Sequence, residues 1–136
     1  MLSSLCSPSE LSSPLAVIAC DAGAANIIAA WAPLLPKKLH ICAEGPAKQI
    51  FKKTWPSCDF QALDEVIANS KMVLTGTGWS STLEHNARRC AQVAGLTTLA
   101  VIDHWVNYRA RFVREHNFIL PDVIVVTDPY AELQAK

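Results

Sequence analysis

The sequence predicts an α/β fold, specifically a three-layer α/β/α Rossmann-like domain with a mainly parallel sheet of about five strands. Short, continuous apolar runs of strand length recur along the chain, and segments of helical length with one apolar side alternate with them. A strand that is apolar on both faces belongs to a parallel sheet with helices on both sides. Strict alternation of strands and helices implies right-handed crossovers between neighbouring parallel strands.

Five apolar runs are the predicted strands, and each has a length typical of a buried strand. They comprise residues 15–20, 39–43, 71–75, 97–102 and 123–127. The predicted helices lie between them or after the last one. They comprise residues 25–35, 46–55, 63–69, a helix that ends before Gly95, and residues 129–134. The polar and aromatic stretch 103–114 is predicted to be a loop with a short helix.

Composition restricts the class of protein. The chain has 136 residues, of which 51% are apolar and 18% charged, so it can fill one core and is not a disordered chain. Twelve basic and twelve acidic residues balance, so the chain lacks the basic footprint of a nucleic-acid binder, and we expect no nucleic acid as a partner. No apolar run reaches the length of a transmembrane helix.

The N-terminal residues 1–13 are Ser-rich and are predicted to form a flexible arm before a single domain at 14–136. The arm does not look like a signal peptide, which points to the cytoplasm. Five widely spaced cysteines without a Cys-x-x-Cys pair argue against a disulfide framework and against a metal site. Cys20 and Cys42 lie in apolar runs and are interpreted as small buried hydrophobes.

The first motif follows the first predicted strand and contains Asp21, Gly23 and Ala24. Small residues at the start of a helix let backbone N–H groups approach an anion or a sugar. The dinucleotide fingerprint is not met because Gly23 is the only glycine, so no cofactor is predicted. The alternative is a tight turn in which Asp21 caps the helix.

The second motif follows the third predicted strand and contains Gly76, Thr77, Gly78 and Trp79. Glycines and hydroxyl groups before a helix form a plausible cradle for an anion or a hydroxylated ligand. Trp79 offers a stacking face to a sugar or base, or else covers the edge of the sheet as a partly buried aromatic. Ser81 and Glu84 match a capping box, which is an alternative to a catalytic role for Glu84.

The third motif follows the fourth predicted strand and concentrates polar groups of several kinds. It contains Asp103, His104, Asn107 and Arg109. A histidine acts as a general base near neutral pH, and an arginine pairs with phosphate. We predict His104 and Asp103 as catalytic residues, with Asn107 and Arg109 as ligand-binding residues. The alternative is a surface loop anchored by its aromatic side chains.

The three motifs should meet because the carboxyl ends of parallel strands share one edge of a sheet. The predicted ligand-binding residues are Asp21, Gly23, Ala24, Gly76, Thr77, Gly78, Trp79, Asn107 and Arg109. The other histidines give weaker evidence of a functional role. His40 falls within a strand, whereas His85 and His116 are predicted to be exposed helix residues.

With these motifs in this order, residues 15–134 resemble the N-terminal Rossmann-like half of GT-B-type proteins, especially those of bacterial polysaccharide biosynthesis. That group holds many nucleotide-sugar glycosyltransferases and the UDP-N-acetylglucosamine 2-epimerases. The resemblance lies in the two glycine-containing turns, the stretch from Asp103 to Arg109 and the final strand 121–128.

The resemblance implies an acceptor-side domain of a sugar-nucleotide-dependent glycosyltransferase or epimerase-like protein. In such proteins the active site lies between two halves, and the C-terminal half holds most of the nucleotide-sugar donor. This chain ends as its fifth strand passes to a helix, so we expect either one half of a longer protein or a stand-alone domain. The implied partners are a sugar or nucleotide-sugar ligand, with a second Rossmann-like domain or a second copy of the chain. The alternative is a non-catalytic small-ligand, nucleotide-binding or regulatory module.

Overall fold

The structure is a computed structural model that describes residues 11, 13–77, 82–102, 113–114, 117–118 and 122–126. Its strands in chain order are β1 Leu15–Ala19, β2 Leu39–Ala43, β3 Met72–Thr75, β4 Thr97–Ile102, β5 Val113–Arg114, β6 Asn117–Phe118 and β7 Val123–Val126. Its helices are α1 Ala22–Ala30, a 3₁₀ turn Ala32–Leu34, α2 Gly45–Thr54, α3 Leu63–Ala68 and α4 Leu83–Val93.

The main sheet is parallel throughout, in the order β2-β1-β3-β4-β7. Two apolar clusters lie on its two faces. Val17 and Leu74 pack with Ile28 of α1 and Phe51 of α2, and all four are fully buried. The alternate strand residues face the other layer, where they pack with α3 and α4. They are Ala16, Ile18 and Val73, and they meet Val66, Ile67, Ala87 and Ala91. The predicted α/β/α Rossmann-like class is confirmed.

The order of the strands determines where a ligand can approach. Leu15 of β1 is in register with Leu39 of β2 on one side and with Met72 of β3 on the other. The chain thus leaves β1 for one edge of the sheet and later returns past it to β3. The helix after β1 packs on one face of the sheet and the helix after β3 on the other, so β1 and β3 flank a topological switch point. Open α/β sheets commonly bind ligands in a crevice at such a point.

Several boundaries differ from the sequence-based expectation. α1 begins at Ala22 rather than residue 25, and the chain tightens into a 3₁₀ turn where Pro33 prevents α-helical bonding. Leu11 is buried in the core, so the packed domain extends before residue 14. Residues 1–10 and 12 of the predicted arm, and the predicted helix 129–134, lie outside the described residues.

The region after β4 also differs. Val113–Arg114 forms β5, which pairs antiparallel with β6, where a loop and short helix were expected. Asp122, which precedes β7, accepts a hydrogen bond of 2.8 Å from the backbone N–H of Thr98 and so joins the start of β7 to β4. Of the helices in the described ranges, none is long and apolar enough to cross a membrane.

Candidate functional site

The loop between β1 and α1 lies at the carboxyl edge of the sheet. Asp21 occupies the N-cap position of α1 with extended backbone, and its carbonyl oxygen accepts a hydrogen bond of 3.2 Å from Ala25. Its carboxylate makes no capping hydrogen bond. Asp21 is thus the cap residue of α1, as the alternative interpretation expected, but its side chain contributes no capping hydrogen bond.

The loop between β2 and α2 lies beside the end of β1. The backbone N–H of Ala47 donates to the carbonyl oxygen of Cys20 at 3.0 Å. Gly45 has a left-handed backbone, with φ +54°, which a glycine adopts at low cost. This loop places the first turn of α2 against Cys20, so two helix N-termini face the same edge.

Gly76 follows β3 directly and is buried at the switch point between β1 and β3. Its backbone N–H donates to the carbonyl oxygen of Ile18 in β1 at 3.1 Å. A Cβ placed on Gly76 would lie 2.7 Å from the Cβ of Ala24 and would overlap the carboxylate of Glu84. The absence of a side chain at Gly76 thus leaves room for Ala24 of α1 and the Glu84 carboxylate of α4, which fill the space beside it.

Arg88 of α4 forms hydrogen bonds to the turn at Gly76 from the buried side of that turn. Its Nη1 donates to the carbonyl oxygen of Gly76 at 2.9 Å and to Oγ1 of Thr75 at 3.1 Å. The Arg88 side chain is completely buried. Hydrogen bonds from a buried guanidinium to a backbone carbonyl fix the direction in which the chain leaves β3.

Thr77 ties this turn to the next strand. Its hydroxyl donates to the carbonyl oxygen of Val101 in β4 at 2.9 Å, and the side chain is fully buried. The hydroxyl that was predicted to contact a ligand is thus engaged by the protein backbone. Thr77 shapes the cradle by joining the ends of β3 and β4.

Sequence reasoning missed the charged side chains on the inner side of α4. Glu84 and Arg88 are fully buried and His85 is 3% exposed, so the expectation of an exposed His85 is wrong. Ser81 of the predicted capping box lies outside the described residues, and the structure places Thr82 at the N-cap of α4 and the Glu84 carboxylate beside Gly76. Charged residues are rarely buried without a structural or functional reason.

A signal for this burial was present in the sequence. Glu84 and Arg88 fall on the same helical stripe as Ala87 and Ala91, with spacings of three and four residues. The two alanines are completely buried against the sheet. Because Glu84 and Arg88 share this stripe with the inward-facing alanines, the spacing predicts that both charged side chains lie beneath the carboxyl end of β3.

The structure brings together two of the three predicted motifs. Asp21, Gly23 and Ala24 lie in the first turn of α1 or just before it, and Ala24 contacts Gly76. Asp21 and Gly23 are partly exposed, whereas Ala24, Gly76 and Thr77 are buried. The remaining predicted site residues lie outside the described residues. They are Gly78, Trp79, Asp103, His104, Asn107 and Arg109.

The cysteines and acidic residues of the described ranges form no cluster of three or more metal-ligating side chains. Cys20, Cys42, Cys58 and Cys90 are free thiols. Cys42 is buried as expected, whereas Cys20 is partly exposed at the end of β1. Burial, and to a lesser extent the charge of Glu44, raises the pKa of the Cys42 thiol. Cys42 therefore remains protonated and unreactive at neutral pH.

Comparison with protein families, with curated proteins and with solved structures finds no match to this chain. The residues and their geometry are therefore the basis for the functional argument.

Proposed function

We propose that this domain binds a sugar-containing ligand at the β1/β3 switch point, as the acceptor-side domain of a sugar-nucleotide-dependent glycosyltransferase or epimerase-like protein. The contact between Ala24 and Gly76 carries the proposal, because it joins two glycine-containing loops that are far apart in sequence. Parallel α/β sheets bind ligands at this kind of crevice.

The roles of the residues follow from their exposure. Asp21 and Gly23 are partly exposed at the start of α1, where backbone N–H groups and a carboxylate can meet sugar hydroxyls or an anion. Gly76 and Thr77 lie behind them and hold the loop in shape. His104 is the proposed base or hydrogen-bonding group of the reaction, and Asp103 is proposed to cap the next helix or orient its neighbour.

Calorimetry tests the acceptor-side assignment. We expect UDP, CDP and UDP-N-acetylglucosamine to bind no more tightly than the millimolar range, since the resemblance assigns most donor contacts to another half. Micromolar binding of any of the three would contradict an acceptor-side role.

A substitution pair tests the location of the site. Asp21→Asn removes the carboxylate at the start of α1 and is expected to weaken sugar binding. Asp59→Asn makes the same change at an exposed loop position and serves as the matched control. Equal effects of the two variants would contradict the site.

The second candidate is a non-catalytic binding module on the same scaffold. The observation in its favour is that the polar groups at Thr75, Gly76 and Thr77 bond within the protein. Binding of N-acetylglucosamine 1-phosphate to the wild type and to His104→Ala separates the candidates. Binding that His104→Ala weakens, with the thermal midpoint unchanged, favours the enzyme domain, because its proposed base would lie at the ligand. Binding that His104→Ala leaves unchanged favours the module.

A further inference from the structure

A groove of about 560 Å³ lies at the amino end of β2, away from the switch point. It is formed by the segment between α1 and β2 and by the segment that follows α2. Much of its lining is apolar. The apolar residues include Pro33, Leu35, Pro36, Leu39, Trp55 and Pro56.

The groove runs along the outer edge of the sheet, because β2 is the last strand on that side. The carbonyl oxygen of Lys38 accepts from Leu15 in β1, whereas that of Ile41 accepts from Gln61 on the outer side. Backbone groups alternate in direction along a strand, so Leu39 directs its N–H and C=O outward, as Ile41 does. Within the described ranges no hydrogen bond from another segment reaches these two groups of Leu39.

The surroundings of the groove are strongly basic although the chain as a whole is neutral. Five of the seven lysines lie between residues 37 and 53, where Glu44 is the only acidic residue. All five are exposed, and in the described part of the chain none is paired with a carboxylate. Lys37 lines the groove itself, and Lys52 and Lys53 form the last turn of α2 beside it.

We infer that this groove is a docking site for an extended acidic peptide segment with an apolar anchor residue. The anchor packs among Leu35, Leu39 and Trp55, and the peptide backbone pairs with the outward N–H and C=O of Leu39. The acidic side chains meet Lys37, Lys38 and the lysines of α2. Addition of a strand to an exposed sheet edge is a common mode of peptide recognition.

The observations favour a peptide over other polyanions. The lining offers aliphatic side chains and prolines, with Trp55 as the one aromatic residue, whereas single-stranded nucleic acid is held by several stacking aromatics. An open strand edge offers backbone hydrogen bonds that a peptide can use and a lipid headgroup cannot. Complementary charge then steers the partner and sets the salt dependence of binding.

The test uses a fluorescein-labelled peptide that alternates aspartate and leucine, with fluorescence anisotropy as the readout. We expect the peptide to bind the wild-type chain and to bind about tenfold more weakly to Lys37→Glu/Lys38→Glu, as the loss and reversal of two rim charges implies. Arg89→Glu is the control for charge, because Arg89 is exposed on α4 at the other face of the sheet. It is expected to leave the affinity unchanged.

A second pair of variants tests the lining of the groove separately from the lysines Lys37 and Lys38. Ser57 is exposed and lines the groove, so Ser57→Glu adds a repelling charge without disturbing the core, and Ser57→Gln adds a similar volume without charge. We expect Ser57→Glu to weaken binding more than Ser57→Gln does. Equal binding of a peptide with serine in place of leucine would overturn the proposal, since the site would then recognise charge alone. Tighter binding of oligothymidylate or of phosphatidylserine vesicles than of the peptide would overturn it as well.

Discussion

Arg88 of α4 donates a hydrogen bond of 2.9 Å to the carbonyl oxygen of Gly76, the first residue after β3. The guanidinium is completely buried, and the carboxylate of Glu84 lies against the same glycine. The loop at the centre of the candidate site is thus held from within by charged side chains of the following helix. This arrangement explains why two charges occupy the inward-facing stripe of α4.

Replacement of Arg88 by methionine should destabilise the domain. Arg88→Met removes the donors to Gly76 and Thr75 and leaves a buried carbonyl without its partner, so we expect a loss of about 1.5–3 kcal/mol in the free energy of unfolding. Urea denaturation measures this loss. Arg89→Met is the matched control, since Arg89 is exposed, and a change of within about 0.5 kcal/mol is expected there. Equal losses in the two variants would refute the role of Arg88.

Addition of one methyl group at Gly76 should also be costly. The Cβ of Gly76→Ala would overlap the Glu84 carboxylate and lie 2.7 Å from the Cβ of Ala24, so α1 and the buried Glu84 side chain must shift. We expect a loss of about 1–3 kcal/mol, the usual cost of overpacking. Thermal unfolding of the variant measures it. A midpoint equal to that of the wild type would show that the space beside Gly76 is open.

The hydroxyl of Thr77 should contribute to stability through its bond to Val101. Thr77→Val keeps the shape of the side chain and removes the donor, with an expected loss of about 1 kcal/mol in the free energy of unfolding. Thr82→Val is a suitable comparison, because Thr82 is exposed and makes no side-chain capping bond. Equal losses of stability in the two variants, measured by urea denaturation, would contradict this role of the Thr77 hydroxyl.

The raised pKa of Cys42 predicts a dependence of stability on pH. The thiol remains protonated in the folded chain at pH values where the unfolded chain, with a pKa near the ordinary 9.0, has lost its proton. The folded state then binds more protons, so the free energy of unfolding falls as the pH rises above about 9. Urea denaturation at a series of pH values measures the slope, which Cys42→Ala should reduce. If Cys58→Ala, which removes a partly exposed thiol, reduced the slope by the same amount, the slope would have a cause other than Cys42.

The sequence predicted most of the scaffold because burial of a parallel strand is visible as a continuous apolar run. β2 and β4 begin and end at the expected residues. The pairing of β5 with β6 was missed, because each strand has only two residues and no periodicity can appear in so short a segment.

The candidate site was only partly predictable from the sequence. The meeting of the loops after β1 and β3 followed from the rule that parallel strands end at one edge, and the contact of Ala24 with Gly76 agrees with it. The burial of Glu84 and His85 could not be predicted in this way, because the local sequence is equally consistent with a capping role for Glu84 and an exposed position for His85. Tertiary packing of α4 against β3 decides between those explanations.

An NMR titration tests whether a sugar ligand binds where the loops after β1 and β3 meet. Amide signals of the ¹⁵N-labelled chain are followed as N-acetylglucosamine 1-phosphate is added, with inorganic phosphate as the control. We expect the sugar phosphate to shift the amides of residues 21–24 and 76–77 in a saturable way, and more than phosphate does. Saturable shifts confined to the amino end of the sheet, or no shifts at residues 21–24, would contradict it.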